Sequence, residues 1–150
     1  MSMGQEKRGK AQRRDLASMV RGLKAGFTAG MGLRLVEARN GRVRVAMPYH
    51  ERLSQFAGLV HGGAIATLAD TTAGVASMLL LPPGQRAVTS ELKINYVGNV
   101  TQGVLEAEAK LLHYGKQTLV WEVRVTDKAS KRLLAITLTT FFIVGKDIKA

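Results

Sequence analysis

The chain contains no cysteine. That absence excludes disulfides, thiolate metal ligands and a cysteine nucleophile, and nothing in the composition points to an oxidising compartment. A long hydrophobic run is missing too. The longest apolar stretch, Val75 to Leu81, is broken by Ser77 and stopped by Pro82-Pro83, against the ~20 residues that a bilayer-spanning helix needs. Leu16 to Leu23 is interrupted by Ser18, Arg21 and Gly22, which argues against a secretory signal. A cytoplasmic protein without membrane insertion is expected, with an organelle transit peptide as the other reading of the Arg-rich start. Neither a G-x-S-x-G elbow nor a Walker sequence is present. His50, His61 and His113 do not stand at metal-ligand spacing, so no metal and no cofactor are expected.

Acidic residues are scarce, 11 against 22 Lys plus Arg, giving a formal net charge of +11. About half of this excess lies in residues 1 to 24, where Lys7, Arg8, Lys10, Arg13, Arg14, Arg21 and Lys24 face only Glu6 and Asp15. Such charge favours polyanions, among them nucleic acid, anionic membrane surfaces and nucleotide phosphates. The leader is too short for a helix-turn-helix, so no specific nucleic-acid partner is expected. Length and apolar content, 150 residues and 46% hydrophobic, suit one domain with a core of its own. The division expected is a basic leader over residues 1 to 11, with little to bury, and a single domain over 12 to 150.

Periodicity then sets out the elements. Leu16, Met19, Val20, Leu23 and Phe27 recur at helical spacing, which predicts an amphipathic helix over residues ~12 to 29, weakened by Gly22 and Gly26. Two strands follow, Leu33 to Ala38 and Arg42 to Pro48, joined by the hairpin dipeptide Asn40-Gly41. From Gly62 to about Leu81 the apolar positions keep the helical period up to Pro82-Pro83-Gly84. This helix is too apolar for a surface position, which suggests a sheet wrapped around it. The rest alternates with period two in four further strands. In the first of them Val88, Ser90, Leu92, Ile94 and Tyr96 are expected on one face, and Thr89, Glu91, Lys93 and Asn95 on the other.

On the central helix Asp70 has only small residues three, four and seven positions away: Gly63, Ala66, Thr67, Gly74 and Ser77. Aspartate and glycine are poor choices for a helix interior, so helix stability alone does not account for this face. Either a slender ligand reaches an unshielded carboxylate there, or a second backbone packs closely against it. His61-Gly62-Gly63 stands directly before the helix, where N–H groups point outward with the positive end of the helix dipole. Those donors can polarise an ester or thioester carbonyl and hold the negative charge that develops on attack. His61 reads either as a general base or as the residue that orients the turn.

These residues resemble a known family. Gln55, the run Gly58-Leu59-Val60-His61-Gly62-Gly63-Ala64, then Leu68-Ala69-Asp70 and Gly74, are similar to the signature of hotdog-fold thioesterases of the phenylacetate-degradation type. Thr89-Ser90-Glu91-Leu92-Lys93-Ile94-Asn95-Tyr96 resembles the same family's first long strand, and Tyr114-Gly115-Lys116 the turn after it. The resemblance runs from roughly Leu33 to Phe142. It implies an α+β hotdog fold, a long central helix wrapped by a curved antiparallel sheet, here with an N-terminal amphipathic helix. It also implies hydrolysis of an acyl-coenzyme A substrate. The N–H of Gly62 and the side chain of Gln55 would hold the carbonyl; Asp70 would activate water or attack directly, and Thr89 would help hold the water. Where several relatives have Asn, this chain has the longer Gln55. His61, Gly63 and Lys116 are expected as substrate-binding positions, and the charge excess offers Lys116, Arg86 or Lys93 to the coenzyme A phosphates. In related enzymes the groups come from two subunits, so a homodimer or homotetramer is implied. A hotdog dehydratase or hydratase is the first alternative, but its F-P-G-H-P and D-x-N-x-x-H segments are missing. The second is a non-catalytic acyl-CoA sensor.

Overall fold

A computed structural model of the chain describes residues 16–39 and 41–145. The basic leader, the first residues of the expected N-terminal helix and Asn40 of the hairpin lie outside the described residues.

Six antiparallel strands form one sheet: β1 (Arg34–Arg39), β2 (Arg42–Pro48), β3 (Arg86–Tyr96), β4 (Val104–Tyr114), β5 (Thr118–Asp127) and β6 (Leu133–Val144), in the spatial order β1-β2-β4-β5-β6-β3. The central helix, Gly62–Leu80, crosses the concave face and packs on every strand from β2 to β6. This is the hotdog fold that the family resemblance implied. By length and composition the helix is apolar enough to cross a membrane. The sheet around it accounts for that apolarity: Ile65, Leu68, Ala69, Ala73 and Ala76 are buried against Val45, Met47, Leu105, Leu119 and Trp121. Burying such side chains stabilises the fold by about 1.5–3 kcal/mol each for the larger ones.

Two expectations need correction. The N-terminal helix does not run unbroken to residue 29. Residues 16–22 are helical, the chain then turns, and a separate 3-10 turn spans Gly26–Met31. Gly26 (φ +59°) and Gly32 (φ +67°) bracket that turn in the left-handed region, which glycine enters without steric cost. Leu23 and Met31 reach the core, while Phe27 is thrown outward.

The second correction concerns β3, whose pairing with β6 slips between Thr89 and Glu91. Ser90 is the extra residue of a bulge, and its Oγ donates to the carbonyl of Thr140 (3.2 Å). One inserted residue reverses the faces on either side of it. Thr89 and Tyr96, assigned to opposite faces by simple alternation, both reach the central helix.

Candidate active site

The helix start is held from three directions. The imidazole of His61 caps it, Nδ1 accepting the N–H of Gly63 (2.8 Å). Tyr96 Oη donates to the carbonyl of Gly62 (2.8 Å), and a Cβ on Gly62 would meet the tyrosine ring at 3.2 Å, so a larger residue there would need the ring to shift by a few tenths of an ångström. Burial raises the Tyr96 phenol above its ordinary value, which keeps the hydroxyl a donor at neutral pH. Behind the turn, Asn99 Nδ2 donates to Val60 O (2.8 Å), and the Val60 N–H donates to Val100 O (3.1 Å). With Gly63 engaged by His61, the Gly62 N–H is the one left without a partner among the described residues. It therefore remains available to a carbonyl oxygen.

Gln55 lies in a tight loop folded back on this turn. Its N–H donates to Leu59 O (2.8 Å), Ser54 bridges Val60, and the His61 N–H donates to Leu53 O (2.7 Å). The glutamine Oε1 accepts the N–H of Ala57, which fixes the amide and leaves Nε2 as its free donor. Gly58 closes the loop at φ +81°, with its carbonyl accepting from Tyr49 Oη (3.0 Å).

Asp70 lies two turns into the helix, half-buried, with Thr89 Oγ1 donating to its Oδ1 (2.8 Å). Burial pushes the carboxyl above its ordinary value, and the Thr89 hydrogen bond offsets part of that rise. The small-residue face expected around Asp70 is open over Gly63, Ala66 and Thr67 but not beyond. Ser77 is fully buried, and Gly74 faces the Phe141 ring at ordinary contact distance, because the sheet curls over the second half of the helix.

Within one protomer these groups do not converge. Eight residues separate Gly62 from Asp70, about 12 Å along the axis at 1.5 Å per residue. A base and an oxyanion donor acting on one carbonyl must both lie within about 3 Å of the reacting group. Lys116 is also apart, in the exposed β4–β5 turn, two strands across from Thr89 and three residues beyond its level. Arg86 and Lys93 are exposed on β3, Lys93 donating to Asn95 Oδ1 (2.8 Å). Sequence reasoning gave Tyr96 and Asn99 no role. Their signal in the sequence was slight, Tyr96 closing the alternating strand and Asn99 standing three residues past it, and it becomes meaningful once the topology brings them against the helix start.

Residues 57–133 match the thioesterase superfamily. The proofreading thioesterase EntH of Klebsiella pneumoniae is 33% identical over 114 residues, covering 76% of this chain and 83% of that protein. Among solved structures, a mutant of thioesterase PA1618 from Pseudomonas aeruginosa superposes with a TM-score of 0.81 at 25% identity, over 87% of this chain and 94% of that one. A hypothetical thioesterase protein from Streptococcus pneumoniae TIGR4, solved with coenzyme A, gives a TM-score of 0.70 at 27% identity, over 76% and 90%. The chain thus belongs to the thioesterase superfamily and is a hotdog-fold thioester hydrolase.

Proposed function

We propose that the protein is a cytoplasmic acyl-coenzyme A thioesterase of the phenylacetate-degradation type, with each active site shared between two protomers. The observation that carries this reading is the pairing of an unoccupied Gly62 N–H at the helix start with a desolvated, Thr89-bound Asp70 on the same helix, about 12 Å away. That separation suits a second copy. Among the described residues β3 is an edge strand of eleven residues, with Val88, Tyr96 and the following Val97 exposed. The other edge, β1, is short, bulged and charged, as edges protected against pairing are. Joining two β3 edges about a two-fold axis sets the central helices antiparallel. With the axis level with Ala66, Gly62 of one helix comes opposite Asp70 of the other.

In that site the thioester carbonyl accepts from the Gly62 N–H and from Gln55 Nε2. Asp70 of the other protomer takes a proton from water as the water oxygen attacks the carbonyl carbon. The tetrahedral oxyanion is held by the same two donors, and its collapse breaks the C–S bond; the departing sulfur takes the proton from Asp70, which releases the acid and the coenzyme A thiol and restores the carboxylate. The Thr89 hydroxyl keeps Asp70 oriented and favours its ionised form. The S. pneumoniae structure with coenzyme A supports the choice of thiol carrier, and the basic surface suits its phosphates. The test is release of free thiol from a panel of acyl-CoA substrates, aromatic and short to long chain. Release from at least one class is expected, abolished by Asp70→Asn. No release from any member would overturn the reading.

A further inference from the structure

A cavity lies beside the helix start, away from Asp70. It has a volume of about 610 Å³, within the range of small-molecule pockets. One wall is the 3-10 turn, through Phe27, Gly30 and Met31; the other is Leu53 together with Gly63 and Ala64 of the helix, and Arg52, His61 and Thr67 complete the lining. The wall is mostly apolar, and Gly63 is shared with the turn that presents the Gly62 N–H. Phe27 stands 83% exposed, a large aromatic at the rim that the described residues leave uncovered. Exposing such a ring to water costs what burying it would return, so an apolar occupant gains by lying against it. Met31, flexible and unbranched, adapts the wall to different shapes.

We infer that this cavity receives the acyl tail of the substrate, an apolar chain of medium length, and that the Gly26–Met31 turn, with Phe27 at its rim, sets the chain-length preference. The inference rests on the thioesterase reading. The thioester carbonyl sits at Gly62, and the tail runs from there past Gly63 and Ala64 toward the turn. Each methylene that becomes buried strengthens binding about fourfold.

Gly30 supplies a clean probe. Gly30 lines the cavity, a Cβ there meets nothing within 4 Å and its φ is not in the left-handed region, so a large side chain is tolerated at this wall without straining the fold. The experiment measures kcat/KM for acetyl-, hexanoyl- and decanoyl-CoA with the wild type, Gly30→Phe and Phe27→Ala. The wild type should favour hexanoyl over acetyl. Gly30→Phe should lower that ratio at least tenfold by filling the space, and Phe27→Ala should lower it about fourfold or more by removing a wall. Thermal denaturation checks that both variants fold as the wild type does. Ratios unchanged in both variants would overturn the inference while leaving the enzyme a thioesterase. Hydrolysis of no acyl-CoA by the wild type would sink the substrate reading, and this assignment with it.

Discussion

Replacing Asp70 by Asn keeps the size of the side chain and an oxygen able to accept from Thr89 Oγ1, now 2.8 Å away, but removes the basicity. If Asp70 activates the water, kcat falls by about 10²–10⁴, the range for a positioned base, or about 3–5 kcal/mol of barrier. The residual rate comes from Gly62 and Gln55, which the substitution does not touch. Stability moves the other way. Burial raises the Asp70 carboxyl, so folding favours its protonated form. Its contribution is complete below the carboxylate value of the unfolded chain and is lost as pH rises through the higher folded value. The ceiling on that loss is about 1.4 kcal/mol per pH unit, reduced here by the solvent that reaches a half-buried group. Asparagine has no proton to lose, so the variant should be the more stable protein at pH 8, and the advantage should vanish near pH 4. Thiol-release kinetics and urea unfolding at the two pH values measure both effects. A variant that hydrolyses at near wild-type rate, or is less stable than the wild type at pH 8, refutes the reasoning.

Thr89→Val removes the donor that favours ionised Asp70, so the acid limb of kcat/KM should move to higher pH; a pH–rate profile with an unmoved limb would separate Thr89 from the carboxylate. His61→Ala should cost about 1 kcal/mol in urea unfolding, the value of a lost helix cap, with a far smaller kinetic effect than Asp70→Asn. A kinetic loss as large as that of Asp70→Asn would make His61 a participant in the chemistry. Tyr96→Phe should destabilise by about 1 kcal/mol through the lost bond to Gly62 O, and a thermal denaturation curve matching the wild type would contradict that.

The strands and the central helix were legible because their apolar residues repeat with one period from end to end, and the Pro82-Pro83-Gly84 stop leaves the helix nowhere to continue. Two places resisted the same reasoning. Leu16 to Phe27 keeps a helical period across Gly22 and Gly26, but glycine allowed the chain to turn and the period then carried no structure. In β3, alternation assigned Thr89 to the wrong face because an inserted Ser90 leaves no mark in a polar stretch. The link between Thr89 and Asp70 entered through the family resemblance, not through spacing. That Gly63 spends its N–H on His61 while Gly62 keeps its own depends on a side-chain rotamer, which periodicity does not encode. The 12 Å between Gly62 and Asp70 was computable from the helix alone. Its meaning required knowing that Gln55 folds back beside Gly62 while Thr89 stands beside Asp70.

A site shared by two protomers makes a quantitative demand on mixed assemblies. Asp70→Asn protein and Gln55→Ala protein are each impaired, the latter by up to about 10² through loss of one carbonyl donor. When the two are unfolded together and refolded as an equal mixture, a site is intact wherever Asp70 comes from the Gln55→Ala chain and Gln55 from the Asp70→Asn chain. Random association makes that about one site in four. The measurement is acyl-CoA hydrolysis by the refolded mixture, against wild-type protein treated identically. The shared site predicts recovery to about a quarter of the wild-type rate. Activity no higher than the average of the two variants alone would place Asp70 and Gln55 in the same protomer's site and contradict the account.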